Sequence, residues 1–300
     1  MDSGNIGFVL LCAAFVFVMT PGLAMFYGGL VRKKNVVNTM MTSIFIIGIG
    51  IVMWVLFGYS LSFAPSGNAF IGDFRWLGLE GVSLTEGYTD DASIPNMVFS
   101  AFQMMFAVIT PALITGAVAG RMKFKSIFVF TIFWSLIVYY PLAHMVWGQG
   151  GLLGADGIGA LDFAGGDVVH ISSGVSALVL CILLGKRHDY EHSIYRIHNI
   201  PTVVLGASLL MFGWFGFNAG SALAADGLAA HAFMTTGVSA AAAMLSWMLC
   251  DVIKNKKPTL IGASTGMVAG LVGITPGAGF VPMWAAVIIG LTKSPVCYIM

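Results

Sequence analysis

One histidine lies a short way into a long apolar stretch of the chain, where an ionisable side chain is costly. His170 follows Gly165-Gly166-Asp167-Val168-Val169 and precedes Ile171-Ser172-Ser173-Gly174. An imidazole can donate a hydrogen bond from one ring nitrogen and accept one at the other. His170 is therefore either a core histidine that a backbone carbonyl satisfies or a hydrogen-bonding, proton-handling group that lines a narrow pore.

Aromatic residues occur at positions from which they could surround a small cation. Phe102 and Phe106 share a helix face because they are one turn apart, and Trp147 lies at a predicted outer boundary. The run Gly213-Trp214-Phe215-Gly216-Phe217-Asn218-Ala219-Gly220-Ser221 adds further rings and a hydroxyl acceptor. Aromatic faces bind a cation within about 6 Å of the ring centroid without contributing a fixed charge. The alternatives are ordinary core packing and an aromatic belt at the membrane interface.

The elements that position these residues are apolar helices. The 300 residues are 58% hydrophobic and 9% charged, with a mean hydropathy of +0.91, whereas a soluble domain carries about 25% charged residues. Runs of about 18 apolar residues cross a hydrocarbon core of roughly 30 Å. Nine such runs predict membrane spans at 6–31, 37–63, 95–119, 126–147, 164–185, 200–223, 228–250, 259–275 and 280–300. The last is expected to be short, broken or protein-facing, because Lys293, Ser294 and Pro295 interrupt it.

The distribution of charge predicts the orientation of the spans. Twelve of the fourteen lysines and arginines fall in alternate loops, at 32–34, 121–125, 186–196 and 254–257. The long loop from about 64 to 94 lies on the opposite side and carries five acidic residues with Arg75. The positive-inside rule therefore places the N-terminus outside.

Composition and spacing disfavour several other classes of protein. A net charge of +1 without a basic stripe argues against a nucleic-acid partner. An intramembrane enzyme using His144 and His170 has little support, because no GxSxG or HExxH motif and no suitable pair of carboxylates is present. We also expect no metal, no cofactor and no cleaved signal peptide. No disulfide is implied by the spacing of Cys12, Cys181, Cys250 and Cys297.

Several motifs resemble signatures of the ammonium transporter (Amt/Mep/Rh) family, most of all its bacterial and archaeal Amt members. They include Pro21-Gly22-Leu23-Ala24-Met25-Phe26-Tyr27-Gly28-Gly29-Leu30-Val31-Arg32 and Ala160-Leu161-Asp162-Phe163-Ala164-Gly165-Gly166-Asp167-Val168-Val169-His170, with 143–148, 213–221, 260–266 and 270–276. Together these motifs cover nearly the whole chain, and they occur in the same order as in the family. The resemblance implies an all-α integral membrane fold: a polytopic helical bundle with inverted five-helix halves around a central pore in each subunit of a homotrimer. The family usually has eleven helices and a cytoplasmic tail.

The resemblance also implies roles for the aromatic residues and the hydroxyl. By residue-wise match, Phe106, Trp147 and Ser221 are similar to the outer site that recruits ammonium. Phe102 and Phe217 resemble the stacked phenylalanine gate below that site. The cage interpretation is therefore favoured over core packing.

Three polar residues at the fifth span complete this comparison. His170 matches the first of two pore histidines that share a hydrogen bond. Asp162 matches a carboxylate needed near the entrance, and we interpret it as a structural and electrostatic support that accepts backbone N–H groups. Asp167 stands where many members have a small hydroxyl residue, and we expect it to be the N-cap of the fifth helix. The alternative is an ionised Asp167 near the pore that favours a charged His170.

The extent of the chain bears on its function. Residues 1–300 are expected to form one ammonium transporter membrane domain with the family's first nine helices, ending before helices ten and eleven and the tail. The family's second pore histidine lies on the tenth helix, and no residue here matches it. If these residues were the whole polypeptide, no conduction is expected; otherwise the function belongs to the longer protein.

The resemblance implies transport of ammonium and ammonia across the plasma membrane. Ammonium would be captured at the outer cage and lose a proton when it is stripped of water, and ammonia would then cross a narrow apolar pore. The alternative is a membrane sensor that uses the same site to signal through a partner or an appended domain. Besides the lipid bilayer, the family implies a P-II regulatory protein as a partner, docked on the inner loops near Arg32, Arg121, Arg187 and Lys254.

Overall fold

The computed structural model describes residues 1–155, 157–187 and 196–300, and these ranges contain helices but no β-strand. Nine helices follow one another in the described ranges: α1 (Ser3–Leu30), α2 (Lys33–Phe63), α3 (Asn96–Val118), α4 (Phe124–Trp147), α5 (Gly166–Leu184), α6 (Ile200–Gly220), α7 (Gly227–Asn255), α8 (Leu260–Gly277) and α9 (Met283–Ile299). Helices α1 to α8 are long and apolar enough to cross a bilayer, and α9 is a shorter apolar helix of 17 residues. The predicted all-α membrane bundle is confirmed, and each predicted span corresponds to one helix.

The packing of the helices repeats within the chain. Helix α1 contacts α2 and α3, and α2 also contacts α3 and α4. The same neighbours recur five helices later, because α6 contacts α7 and α8, and α7 contacts α8 and α9. Four spans lie between α1 and α6, so α6 crosses the membrane in the opposite sense to α1, and the second set of helices is inverted relative to the first. The described helices are thus arranged as two inverted halves that meet where α1 packs along α6.

Glycines allow α1 and α6 to approach closely. A Cβ on Gly206 of α6 would lie 2.3 Å from the backbone nitrogen of Phe26 and 2.6 Å from the carbonyl oxygen of Gly22, both on α1. A Cβ on Gly213 would lie 2.2 Å from Cγ of Met19. Because lipid gives helices no hydrophobic drive to associate, close backbone contact of this kind supplies the packing energy between them.

Replacing Gly206 with alanine is expected to push α1 and α6 apart. The added methyl meets rigid backbone atoms, and such overpacking costs about 1–3 kcal/mol. The matched control is Gly48→Ala on α2, where an added Cβ has nothing within 4 Å. Alanine is the better helix former there. Thermal unfolding in detergent should show a lower midpoint for Gly206→Ala and an unchanged or higher one for Gly48→Ala. Equal midpoints would contradict this account of the interface.

Helix α9 is continuous through the three residues that were expected to interrupt it. Lys293 is protein-facing along part of its stem, since a Cβ on Gly273 of α8 would lie 2.5 Å from its Cγ. Pro295 has no N–H to offer the carbonyl of Leu291, one turn earlier. The hydroxyl of Ser246 on α7 donates to that carbonyl at 2.9 Å instead. A neighbouring helix thus supplies the hydrogen bond that proline removes, and the helix does not break.

Candidate functional site

The carboxylate of Asp162 organises the N-terminus of α5. Its Oδ1 accepts the backbone N–H groups of Gly165 and Gly166, each at 2.6 Å. Its Oδ2 accepts those of Asp167 at 2.8 Å and Val168 at 3.1 Å. The chain turns sharply enough to present these amides because Gly165 adopts a φ of +118°, which favours glycine. The four amides and the positive end of the helix stabilise a negative charge at this point.

Asp167 does not cap α5, so the prediction that it is the N-cap is wrong. The N-cap position belongs to Gly165, which has no side chain to accept a hydrogen bond. The carboxylate of Asp162 reaches the first-turn amides from the preceding loop and occupies their donors, including the N–H of Asp167 itself. The carboxyl group of Asp167 is therefore left half-buried at the start of the helix.

An outer cavity of about 570 Å³ opens beside this turn. Its walls include five of the residues singled out in the sequence, namely Phe102, Phe106, Trp147, Asp162 and Ser221. The indole N–H of Trp147 donates to the carbonyl oxygen of Asp162 at 3.1 Å, which fixes the orientation of the ring. The rings of Trp147 and Phe106 meet edge to face with centroids 6.0 Å apart. The structure therefore brings the predicted recruitment residues together around one cavity.

The hydroxyl of Ser221 is oriented by its own helix. It donates to the carbonyl oxygen of Phe217 at 2.9 Å. A hydroxyl has one proton and two lone pairs, so its lone pairs remain for a donor that enters the cavity. Ser221 is therefore an acceptor, and the ligand that suits it must donate a hydrogen bond, as ammonium does.

The electrostatics of the outer loop favour a cation at the cavity. Arg75 is paired with Asp73, with 2.6 Å between Nη2 and Oδ2, and its hydrogen bond lowers the pKa of Asp73. Asp91 lines the cavity without a described cation beside it. Burial raises the pKa of Tyr88, another lining residue, to about 12 and keeps its hydroxyl neutral.

A column of rings closes the inner end of the outer cavity. Phe102 meets Phe106 at 4.9 Å between centroids, Phe106 meets Phe217 at 4.4 Å, and Phe217 stacks on His170 at 5.9 Å. The ring pair at the constriction thus differs from the predicted pair of Phe102 and Phe217. Phe102 instead lies over Gly220, where an added Cβ would come within 2.8 Å of its ring.

Below the rings lies a second, apolar cavity of about 130 Å³ that contains His170. The imidazole packs 5.3 Å from the ring of Trp214 and beside Phe217. Its Nε2 is enclosed, and no described residue hydrogen-bonds to it. No backbone carbonyl satisfies Nε2 of His170, which favours the pore-lining interpretation over that of a core histidine. The helix locally widens to a π-helix at Gly166–Ile171, a feature frequent at functional sites.

The cavities follow one another along a single face of α3. Phe106 lines the outer cavity, Ile109 and Leu113 line the middle one, and Leu113, Gly116 and Ala117 line a third of about 450 Å³ at the inner end. The described walls therefore outline a path across the bundle, interrupted by the ring pair and by a second constriction at Leu113.

Sequence reasoning missed residues that narrow or line this path. The hydroxyl of Tyr27 donates to the carbonyl of Leu113 at 3.0 Å, between the middle and inner cavities. Gln103 lines the outer cavity among the aromatic residues of α3. Its position one turn before Phe106 carried the signal, since residues three apart share a helix face.

Among the described residues, no group of three or more His, Cys, Asp or Glu could hold a metal ion.

A sequence profile described as the Ammonium Transporter Family matches residues 7–300. The chain belongs to this family. It is 52% identical to an ammonium transporter of Bacillus subtilis over 298 residues, which cover 99% of this chain and 72% of that protein. Family membership and the apolar helices together make this a multi-pass membrane protein.

Solved structures of ammonium transporter family proteins share the fold. The crystal structure of Mep2 from Saccharomyces cerevisiae matches with a TM-score of 0.91 and 38% identity, covering 100% of this chain and 66% of Mep2. A sensor Amt protein matches with a TM-score of 0.87 and 29% identity, covering 99% of this chain and 74% of that protein. The chain thus spans about two thirds to three quarters of the length of these relatives.

Proposed function

We propose that the protein containing this chain moves ammonium nitrogen across the plasma membrane. The observation that carries the proposal is the order of the parts: an outer cavity with rings and a hydroxyl acceptor, then a ring constriction, then an apolar cavity with a histidine. The outer cavity suits capture of a cation, the constriction suits its conversion to a neutral molecule, and the apolar cavity suits passage of that neutral molecule. We propose transport rather than enzymatic turnover, by one membrane domain at 1–300 that comprises nine helices.

Ammonium is captured in the outer cavity by the rings of Phe106 and Trp147 and by the hydroxyl of Ser221. Aromatic faces and one neutral acceptor hold the cation without a carboxylate in direct contact with it, so the cation can still be released. The oxygens of Asp162 are held by the α5 amides, so this carboxylate contributes a negative electrostatic potential at the cavity wall and is not a direct ligand of the cation.

The constriction between Phe106 and Phe217 separates charged from neutral species. A cation that enters an apolar cavity loses its hydration, which favours loss of its proton. Ammonium can release a proton and cross as ammonia, whereas potassium keeps its charge. We propose Phe106 and Phe217 as the barrier, with Phe102 as a wall of the outer cavity. The released proton passes to water in the outer cavity, and below the barrier Nε2 of His170 hydrogen-bonds the neutral ammonia.

Uptake of methylammonium or ammonium by liposomes containing the intact protein tests this function. We expect the uptake of methylammonium or ammonium to be saturable, and we expect potassium not to be taken up in their place. Intact, folded protein that binds ammonium but produces no flux would contradict transport. That result would select the second candidate, a membrane ammonium sensor, which the likeness to a sensor Amt protein favours.

The oligomeric state, the orientation in the membrane and the regulatory partner are proposed from the pattern of the family. We propose a homotrimer in the plasma membrane with the N-terminus outside, supported by the basic loops that follow α1, α3, α5 and α7. A P-II protein would dock on the inner face near Arg32, Arg121, Arg187 and Lys254. Accessibility of single cysteines introduced into opposite loops tests the orientation.

Replacing Ser221 with alanine is expected to weaken capture without stopping transport. The change removes one acceptor for ammonium, and a hydrogen bond to a charged group contributes about 1.5–3 kcal/mol. We expect KM for methylammonium to rise by about ten-fold or more, with a smaller change in Vmax. Ser221→Thr keeps the hydroxyl and serves as the control. An unchanged KM in Ser221→Ala would remove Ser221 from the recruitment site.

A further inference from the structure

The face of α3 that borders the outer cavity carries one amide among its aromatic rings. Phe99, Phe102, Gln103 and Phe106 all line the cavity. Their spacing is that of neighbours on one side of a helix. Gln103 is only 9% exposed, so its amide is built into the wall and is not a solvated surface group.

The amide oxygen of Gln103 has an unmet hydrogen-bond requirement. This Oε1 is enclosed, and no described residue donates to it. A buried acceptor without a donor costs about 1–3 kcal/mol. The other α3 side chains on this face are phenyl rings, which have no donor to offer. A terminal amide turns over a broad range about its last bond, so its oxygen can meet a donor that enters the cavity.

We propose that Gln103 is a second acceptor for ammonium in the outer cavity. Its amide oxygen takes one of the four N–H groups of the ion, while the hydroxyl of Ser221 takes another and the ring of Phe106 faces the charge. The inference rests on the proposed function and adds a residue to its capture step. It gives Oε1 the donor that the described residues do not provide.

An uncharged amide suits this position on electrostatic grounds. Asp162, which lines the same cavity, already carries a negative charge held by four amides. A second fixed carboxylate would bind the cation more tightly and slow its release. The carbonyl dipole of Gln103 adds direction for an N–H donor and leaves the net charge of the cavity unchanged.

Two substitutions at Gln103 test the proposal in the intact protein. Gln103→Met has a similar length and no acceptor, and we expect KM for methylammonium uptake to rise by about ten-fold with Vmax largely kept. Gln103→Glu keeps an oxygen acceptor and adds charge, and we expect its KM to be no higher than that of the unmodified protein. Thermal stability of Gln103→Met should not fall, because the change removes an unpaired buried acceptor.

The chain's other glutamine provides a matched control. Gln149 is exposed outside the cavity lining, and its amide donates to the carbonyl of Tyr88 at 2.9 Å. We expect Gln149→Met to leave KM unchanged. An unchanged KM in Gln103→Met, with the unmodified protein transporting, would overturn the role of Gln103 and leave the proposed function intact. A fall in Vmax and thermal stability at constant KM would assign Gln103 a structural role and also overturn the proposal.

A binding measurement separates this inference from the proposed function. The shift in unfolding temperature caused by ammonium chloride, compared with sodium chloride, reports binding without transport. We expect the shift to shrink in Gln103→Met and to persist in Gln149→Met. Equal shifts in the unmodified protein and Gln103→Met would overturn the role of Gln103, whether or not the protein shows flux.

Discussion

Replacing Asp162 with asparagine is expected to abolish transport and to destabilise the N-terminus of α5. The carboxylate accepts four backbone N–H groups, two at each oxygen. Asparagine keeps one oxygen and turns the other position into a donor that faces two donors. Hydrogen bonds to a charged group contribute about 1.5–3 kcal/mol each, so losing two destabilises the turn by several kcal/mol.

The functional loss in Asp162→Asn follows from the same contacts. The turn also orients Trp147, whose indole N–H donates to the carbonyl oxygen of Asp162. Loss of the turn therefore disturbs the proposed recruitment site and the start of the helix that carries His170. The negative charge near the bound cation disappears as well. We expect methylammonium uptake to fall below detection and the unfolding temperature in detergent to drop.

Asp167→Asn is the matched control, because it makes the same chemical change five residues later. The side chain of Asp167 caps no amide, and the backbone N–H of residue 167 stays bonded to the carboxylate of Asp162 after the change to asparagine. We expect uptake and stability close to those of the unmodified protein. A strong defect in Asp167→Asn together with a mild one in Asp162→Asn would reverse the roles that the structure gives these carboxylates.

These two carboxylates also show what the sequence could and could not predict. Hydropathy predicted each of the nine apolar helices in the described ranges, because apolar runs of membrane length have few alternatives in lipid. A capping residue within the helical pattern was expected at Asp167, since short polar side chains favour helix starts. The actual cap comes from Asp162 in the preceding loop, and its reach depends on the left-handed turn at Gly165. Sequence spacing does not specify such a turn.

The aromatic residues were predicted at the correct helix face but not with their correct neighbours. Phe102 and Phe106 share one side of α3, as their spacing requires. Which ring meets Phe217 depends on how far α6 is shifted along α3 and on the close contact of Phe102 with Gly220. The acceptor at Gln103 was missed because a lone amide between apolar residues matches no motif, although its spacing from Phe106 places it on the same helix face.

Replacing Phe217 with alanine is expected to open the constriction and to remove the exclusion of potassium. The ring of Phe217 contacts Phe106 above it and His170 below it, so its loss joins the outer and middle cavities. Water would then enter the apolar segment and hydrate a cation that must otherwise be stripped. Truncating a buried phenylalanine also costs about 3–5 kcal/mol of stability. We expect Phe217→Ala liposomes to leak potassium while methylammonium still enters.

Phe102→Ala distinguishes the observed constriction from the pair predicted by sequence. Phe102 is as buried as Phe217, so both truncations carry a similar stability cost. Its ring lies over Gly220 on the outer side of Phe106, and its loss leaves the contact between Phe106 and Phe217 in place. We expect Phe102→Ala to raise KM while potassium stays excluded. Potassium leakage of equal size in both variants would show that Phe102 and Phe217 act together as the gate, and leakage in neither would move the charge barrier below the rings, to the cavity around His170.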